Sequence, residues 1–110
     1  MLFDTPLMGA NYRPMESQVV VHDLKDDEEL TLVREPENKY DGNAIQVHKG
    51  EHFIGFIAKA HAAKIAPRMD EGYKSSCMVK HAGGLRPMLY VELHYDKEST
   101  DDVEDRPSAD

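Results

Sequence analysis

The chain has one cysteine, Cys77, in 110 residues. That excludes a disulfide framework and a zinc site built from cysteines. Basic residues are also scarce: 13 against 21 acids, a formal charge of -8. Such a balance argues against a broad phosphate-binding footprint. Long apolar runs are missing, and so is a charged-then-apolar leader. A cytoplasmic protein is therefore expected. The Gly-rich phosphate loop with its Lys-Ser/Thr is absent, which excludes that kind of ATPase. None of the six histidines falls at a zinc-protease spacing. His48 and His52 are four apart, but a turn separates them, and they read as exposed or edge-strand residues. The run Asp26-Asp27-Glu28-Glu29 reads as a solvated turn and not as a metal cluster. Ser75-Ser76-Cys77 has no base at a recognisable spacing, and no nuclease-like carboxylate set stands out. The expectation is a protein without catalysis, metal or cofactor.

What charge there is lies unevenly. Residues 96–110 hold seven acids and two bases, a net of -5, which leaves -3 for residues 1–95. The last fifteen residues are nearly free of apolar side chains and are expected to be disordered and dispensable for folding. Residues 1–95 are long enough for one modest core. They remain only mildly acidic, so a small pocket for a strand end stays open.

Periodicity supplies most of the elements. Residues 1–8 form an early strand or a loose arm, and residues 9–14 are turn-like. Residues 17–24 read both ways: Val19-Val20-Val21 favours a strand, whereas Met15 and Val19 sit at helical spacing. Glu29–Arg34 alternates, with Leu30, Leu32 and Arg34 on one face. Residues 43–48 form the return strand, with Ile45 and Val47 facing one way. After a turn at Lys49-Gly50-Glu51, His52–Ile57 is the next strand, and Gly55 permits a close approach. Residues 59–71 place Ala62, Ile65, Ala66 and Met69 in one helical stripe. Pro67 should kink or restart that helix, and Gly72 should end it. Residues 74–81 and Met88–Tyr95 are the last strands. Mainly β structure with one or two helices follows, as a small, partly open barrel of about six strands.

The most informative stretch is residues 32–47, Leu-Val-Arg-Glu-Pro-Glu-Asn-Lys-Tyr-Asp-Gly-Asn-Ala-Ile-Gln-Val. Its turn chemistry is dense, yet the loop exceeds a plain hairpin. It also carries a cation, an aromatic ring and a carboxylate: Arg34, Tyr40 and Asp41. Functional side chains favour such loops on rigid scaffolds. An ordinary surface loop, with Tyr40 covering the core edge, is the plain alternative.

The pattern Arg34-Glu35-Pro36-x-Asn38-x-Tyr40-Asp41-x-Asn43-Ala44-Ile45-x-Val47 resembles the signature of the HIRAN domain. That module stands at the front of helicase-like DNA repair and remodelling proteins and also occurs free-standing. Gly9-x-x-Tyr12, Glu29-Leu30-x-Leu32 and Ile54-Gly55-Phe56-Ile57 extend the resemblance over roughly residues 8–95. Lys39 departs from it, at a place where the family often has Pro. The resemblance implies an OB-like barrel that binds single-stranded DNA at a free 3′-hydroxyl end. Tyr12, Tyr40 and Phe56 would stack on bases, Asp41 would accept from the terminal hydroxyl, and Arg13 and Lys59 would neutralise phosphates. His81 would line the far wall. Arg34, Asn38 and Asn43 would brace the loop. Core packing is the competing role for Tyr12.

Two rivals remain at this point. A protein–protein adaptor, with a helicase or nuclease protein as partner, suits the net acidity; DNA mimicry by an acidic face is its variant. A small hydrolase lacks a visible catalytic set.

Overall fold

The computed structural model describes residues 1–95; the expected disordered tail lies outside the described residues. Six strands and two helices follow one another in this order: β1 (Leu2–Met8), α1 (Met15–His22), β2 (Glu29–Arg34), β3 (Ile45–Lys49), β4 (His52–Ile57), α2 (Lys59–Asp70), β5 (Tyr73–His81) and β6 (Met88–Tyr95). A single 3-10 turn, Ala10–Tyr12, precedes α1. The strands close into a ring in the order β1-β4-β3-β2-β5-β6, every pair antiparallel. Closure is uneven. Residue pairing is longest between β5 and β6, from Tyr73 opposite Tyr95 to His81 opposite Met88. The β1–β4 seam has two pairs, Leu7 with Ile57 and Met8 with Phe56. The β2–β5 seam also has two, Glu29 with Met78 and Leu30 with Cys77. β1 and β2 each change partner along their length and so bend from one sheet into the other. Such a mostly β, six-strand barrel is what the alternation of the sequence requires.

Inward positions fill the ring. Leu7, Ile45, Val47, Ile54, Val79, Leu89 and Val91 are fully buried. Each such side chain contributes about 1.5–3 kcal/mol by leaving water. On β3, Ile45 and Val47 point in while Gln46 and His48 are half-exposed, as their period of two demands. Gly55 lies opposite Val47 where β1 crosses closely: a Cβ there would stand 2.6 Å from the Met8 carbonyl oxygen.

Both helices are set by what they bury. The ambiguous segment is helical as far as His22 because Ser17 and Val21, one turn apart, face the barrel at β4. Leu24 continues the same face into the core. Burial outweighs the β-branched run, and Val19 is left exposed. Gln18 ties the helix to the preceding turn through the Arg13 and Asn11 carbonyls. In α2, Ala62, Ile65 and Ala66 are buried and Met69 packs on the core. The helix runs through Pro67 without restarting. Pro67 stands in its last turn, where a single backbone bond is forfeited. Among the described residues, no helix is long and apolar enough to cross a membrane. Burial pushes the lone Cys77 thiol up to about 12, so it is a core residue and not a nucleophile.

Candidate functional site

The loop between β2 and β3 is held by its own side chains. Asn38 Oδ1 accepts from the backbone N–H of Tyr40 at 2.8 Å and of Asp41 at 3.0 Å. Asp41 Oδ1 accepts from the Asn43 N–H at 2.9 Å. These are Asx turns, in which a short polar side chain stands in for backbone. Asn43 takes part through its backbone N–H and not through its side-chain amide.

Arg34 closes the loop from below. Nη1 donates to the Ala44 carbonyl at 2.8 Å and Nη2 to the Gly42 carbonyl at 3.0 Å. Nε and Nη2 form a fork on the two carboxylate oxygens of Asp70, at 2.9 and 3.0 Å. One guanidinium thus joins the loop to the end of α2. The Asp70 bonds raise the guanidinium's pKa, partial burial opposes them, and the charges of Asp70 and Asp41 add to the rise. Asp70 is in turn held below the ordinary carboxylate value, chiefly by the same bonds.

Above this base lies a cleft of about 320 Å³, lined by Met8, Asn38, Tyr40, Asp41, Ala44, Phe56, Ile57 and Lys59. Its floor is apolar, from Met8, Ala44, Phe56 and Ile57. Tyr40 stands over it, 85% exposed, with a ring face free to stack. Lys39, the residue that departs from the family pattern, places its ammonium 5.6 Å from the Tyr40 ring centroid. Lys59 adds a cation where α2 begins. The second oxygen of Asp41 has no hydrogen-bond partner among the described residues.

Of the residues singled out from sequence, the cleft gathers Asn38, Tyr40, Asp41, Phe56 and Lys59. Tyr12, Arg13 and His81 stand outside its lining. Tyr12 is 85% exposed, so it is not a core residue. Arg13 lies on β4: its Cζ is 3.8 Å from the Phe53 ring centroid and its Nε donates to the Phe53 carbonyl at 3.1 Å. Phe53 meets Phe56 edge to face, with centroids 5.2 Å apart, which links Arg13 to the cleft through two rings. His81 is exposed, at the end of β5 opposite Met88. His48 stacks on Phe53 and meets Gln46, consistent with a structural part. No group of residues that could hold a metal occurs among the described residues.

The sequence reading missed Met8 and Arg86. Met8 reaches the floor because β1 pairs with β4 there. Arg86, in the β5–β6 connection, comes to the rim through Met8, with Nη2 3.6 Å from its sulfur. An isolated Arg in a Gly-Gly-Leu-Arg-Pro loop carries no local signal of direction. Only the long-range pairing of β1 with both β4 and β6 brings it here.

A family model described as HIRAN domain matches residues 1–96. The fold is similar to the crystal structure of the HIRAN domain of human HLTF, with a TM-score of 0.69 and 22% identity over 84% of this chain and 74% of that one. It is also similar to the crystal structure of a protein from Lactobacillus plantarum, with a TM-score of 0.71 and 25% identity over 81% of this chain and 91% of that one. A comparison with curated protein sequences gave no match.

Proposed function

Since the chain belongs to the HIRAN domain family, known in general for DNA binding, we propose that it is a non-catalytic module for single-stranded DNA, selective for a free 3′-hydroxyl end. One observation carries the reading: Tyr40, Asp41, Phe56 and Lys59 surround a single apolar-floored cleft. A terminal base enters the cleft and stacks on Tyr40 or Phe56. Base–aromatic stacking of this kind contributes about 1–3 kcal/mol. The unpaired oxygen of Asp41 accepts from the terminal hydroxyl. The same charge repels a terminal phosphate, so the carboxylate selects as well as binds. Lys39, Lys59 and Arg86 stand where the strand's remaining phosphates pass. Acting through a helicase or nuclease protein, such a module would serve DNA repair.

The floor of Met8, Ala44 and Ile57 also suits an apolar side chain of a protein, which keeps an adaptor as the second reading. The cations at the rim favour the strand.

Three oligonucleotides test the reading in titrations at fixed salt: a single strand ending in a 3′-hydroxyl, the same strand ending in a 3′-phosphate, and a blunt duplex. The hydroxyl end should bind most tightly. Tyr40→Ala should weaken both single strands, by about 1–3 kcal/mol. Asp41→Asn keeps an oxygen for the Asn43 N–H and removes the charge. It should weaken the hydroxyl end and spare or improve the phosphate end. Equal binding of both ends by the parent would sink end recognition. Failure to bind any single strand at low salt would leave the adaptor.

A further inference from the structure

A second groove, of about 400 Å³, lies between β1 and α2. Met1, Phe3, Ala63 and Pro67 supply its apolar part, and Lys64 and Arg68 its cations. Glu71 is its single acid. Three other cations of the fold have carboxylate partners: Arg34 pairs with Asp70, Lys49 with Glu28 and Lys80 with Asp4. Among the described residues, Lys64 and Arg68 have no carboxylate partner. Arg68 only overlooks the Tyr73 ring, 5.8 Å from its centroid.

The described chain stops beside this groove. Leu93 exchanges two backbone bonds with Met1, at 3.0 and 2.8 Å. Two residues on, Tyr95 rests against Tyr73, with ring centroids 5.2 Å apart, and Tyr73 is the ring below Arg68. Tyr95, the last described residue, therefore lies at the groove's edge. The fifteen residues from 96 to 110 carry the net charge of -5 already counted. They include Asp101-Asp102-Val103-Glu104-Asp105, one apolar side chain between two pairs of acids. Val103 lies eight residues past Tyr95, a reach of up to about 26–29 Å. That exceeds the roughly 18 Å length of the twelve-residue α2.

We infer that residues 101–105 dock in this groove, with Val103 against Phe3 and Pro67 and the flanking carboxylates on Lys64 and Arg68. Charge complementarity, the point where the described chain stops and the length beyond it all name the chain's own tail as occupant. Glu71 keeps the acids off the end of α2 and fixes them at the two cations. A tethered segment acts at an effective concentration near millimolar, so a weak contact suffices. Exposed ion pairs add little to folding. Spectroscopy, and not melting, is therefore the readout.

The test records amide 1H–15N spectra of the full 110-residue chain as salt rises from about 0.1 M to about 1 M. Over that range the screening length falls from about 10 Å to about 3 Å. Residues 101–105 should move to random-coil positions in step with shifts at Phe3, Lys64 and Arg68. The variant K64E/R68E should show the coil positions already at low salt, with the dispersed strand signals unchanged. Adding D102K/E104K to that variant should restore the low-salt shifts. Coil positions for residues 101–105 in the parent at low salt would overturn the inference. So would a single strand that moves the Phe3, Lys64 and Arg68 signals while the tail stays at coil positions; the groove would then belong to nucleic acid.

Discussion

At the scale of single residues, two contacts decide the shape of the site. Asn38 Oδ1 accepts two backbone N–H groups, those of the residues that would read the strand. Asn38→Ala leaves both donors without that acceptor. Each lost bond of this kind costs about 0.5–1.5 kcal/mol. The expected result is a loss of about 1–2 kcal/mol in denaturant melts, faster amide exchange at Tyr40 and Asp41, and weaker strand binding. Unchanged exchange at those two amides would show that the loop holds its form without Asn38. Gly55 decides the other contact. Its added Cβ would stand 2.6 Å from the Met8 carbonyl oxygen and 2.9 Å from a Leu7 methyl. Backbone cannot swing away as a flexible side chain can, so β1 and β4 must separate. Gly55→Ala should cost about 1–3 kcal/mol as overpacking. Because Met8 belongs to the cleft floor, binding should fall even below the melting range. A variant that melts and binds like the parent would contradict the close crossing.

At the scale of elements, Arg34 joins β2, the β2–β3 loop and α2 with four hydrogen bonds from one side chain. Arg34→Lys keeps the charge but loses the fork, so it should bind the strand little better than Arg34→Ala. Full rescue by Lys would show that charge alone suffices. The same junction gives acid sensitivity. Asp70 is held below its ordinary value by Arg34, and Glu28 below its own by Lys49 and the Lys25 N–H. A lowered folded value means stability is complete above the ordinary carboxylate range and is lost as pH falls through the folded values. Both groups are exposed, so the effect is small. Asp70→Asn should flatten the acid limb of a stability–pH curve and leave the neutral plateau slightly lower; an unaltered acid limb would remove Asp70 from the account. This junction also shows where sequence stops being legible. β2, β3 and α2 follow from periods of two and 3.6, because each has one clean apolar face. The Tyr40-Asp41 loop was visible through its turn chemistry. α1 was not settled by propensity, since its Val run and its helical spacing disagree until β4 supplies the surface to bury. The Arg34–Asp70 fork joins residues 36 apart, and no local pattern points from one to the other. Met8 and Arg86 were invisible for the same reason.

At the scale of the whole molecule, the sign of the charge runs against the proposed ligand. Residues 1–95 carry a net of -3, yet Lys59 lines the cleft, Lys39 stands over its Tyr40 ring and Arg86 touches its Met8. Binding then rests on a few local cations and on stacking, and not on a broad positive field. Single strands give a salt slope of about 0.7 per neutralised phosphate. Three cations therefore predict that log affinity falls against log salt with a slope of about 2. Stacking on Tyr40 and Phe56 is insensitive to salt, so Tyr40→Ala should lower affinity at every salt concentration without altering that slope. Lys59→Gln should reduce the slope by about 0.7 and leave the preference for a 3′-hydroxyl intact, because the proposed reading assigns the end to Asp41 and not to Lys59. A parent slope near zero would mean that no phosphate is touched and would favour a protein partner in the cleft. A slope of about 4 or more would require cations beyond the rim. Lys64 and Arg68 in the second groove are the candidates.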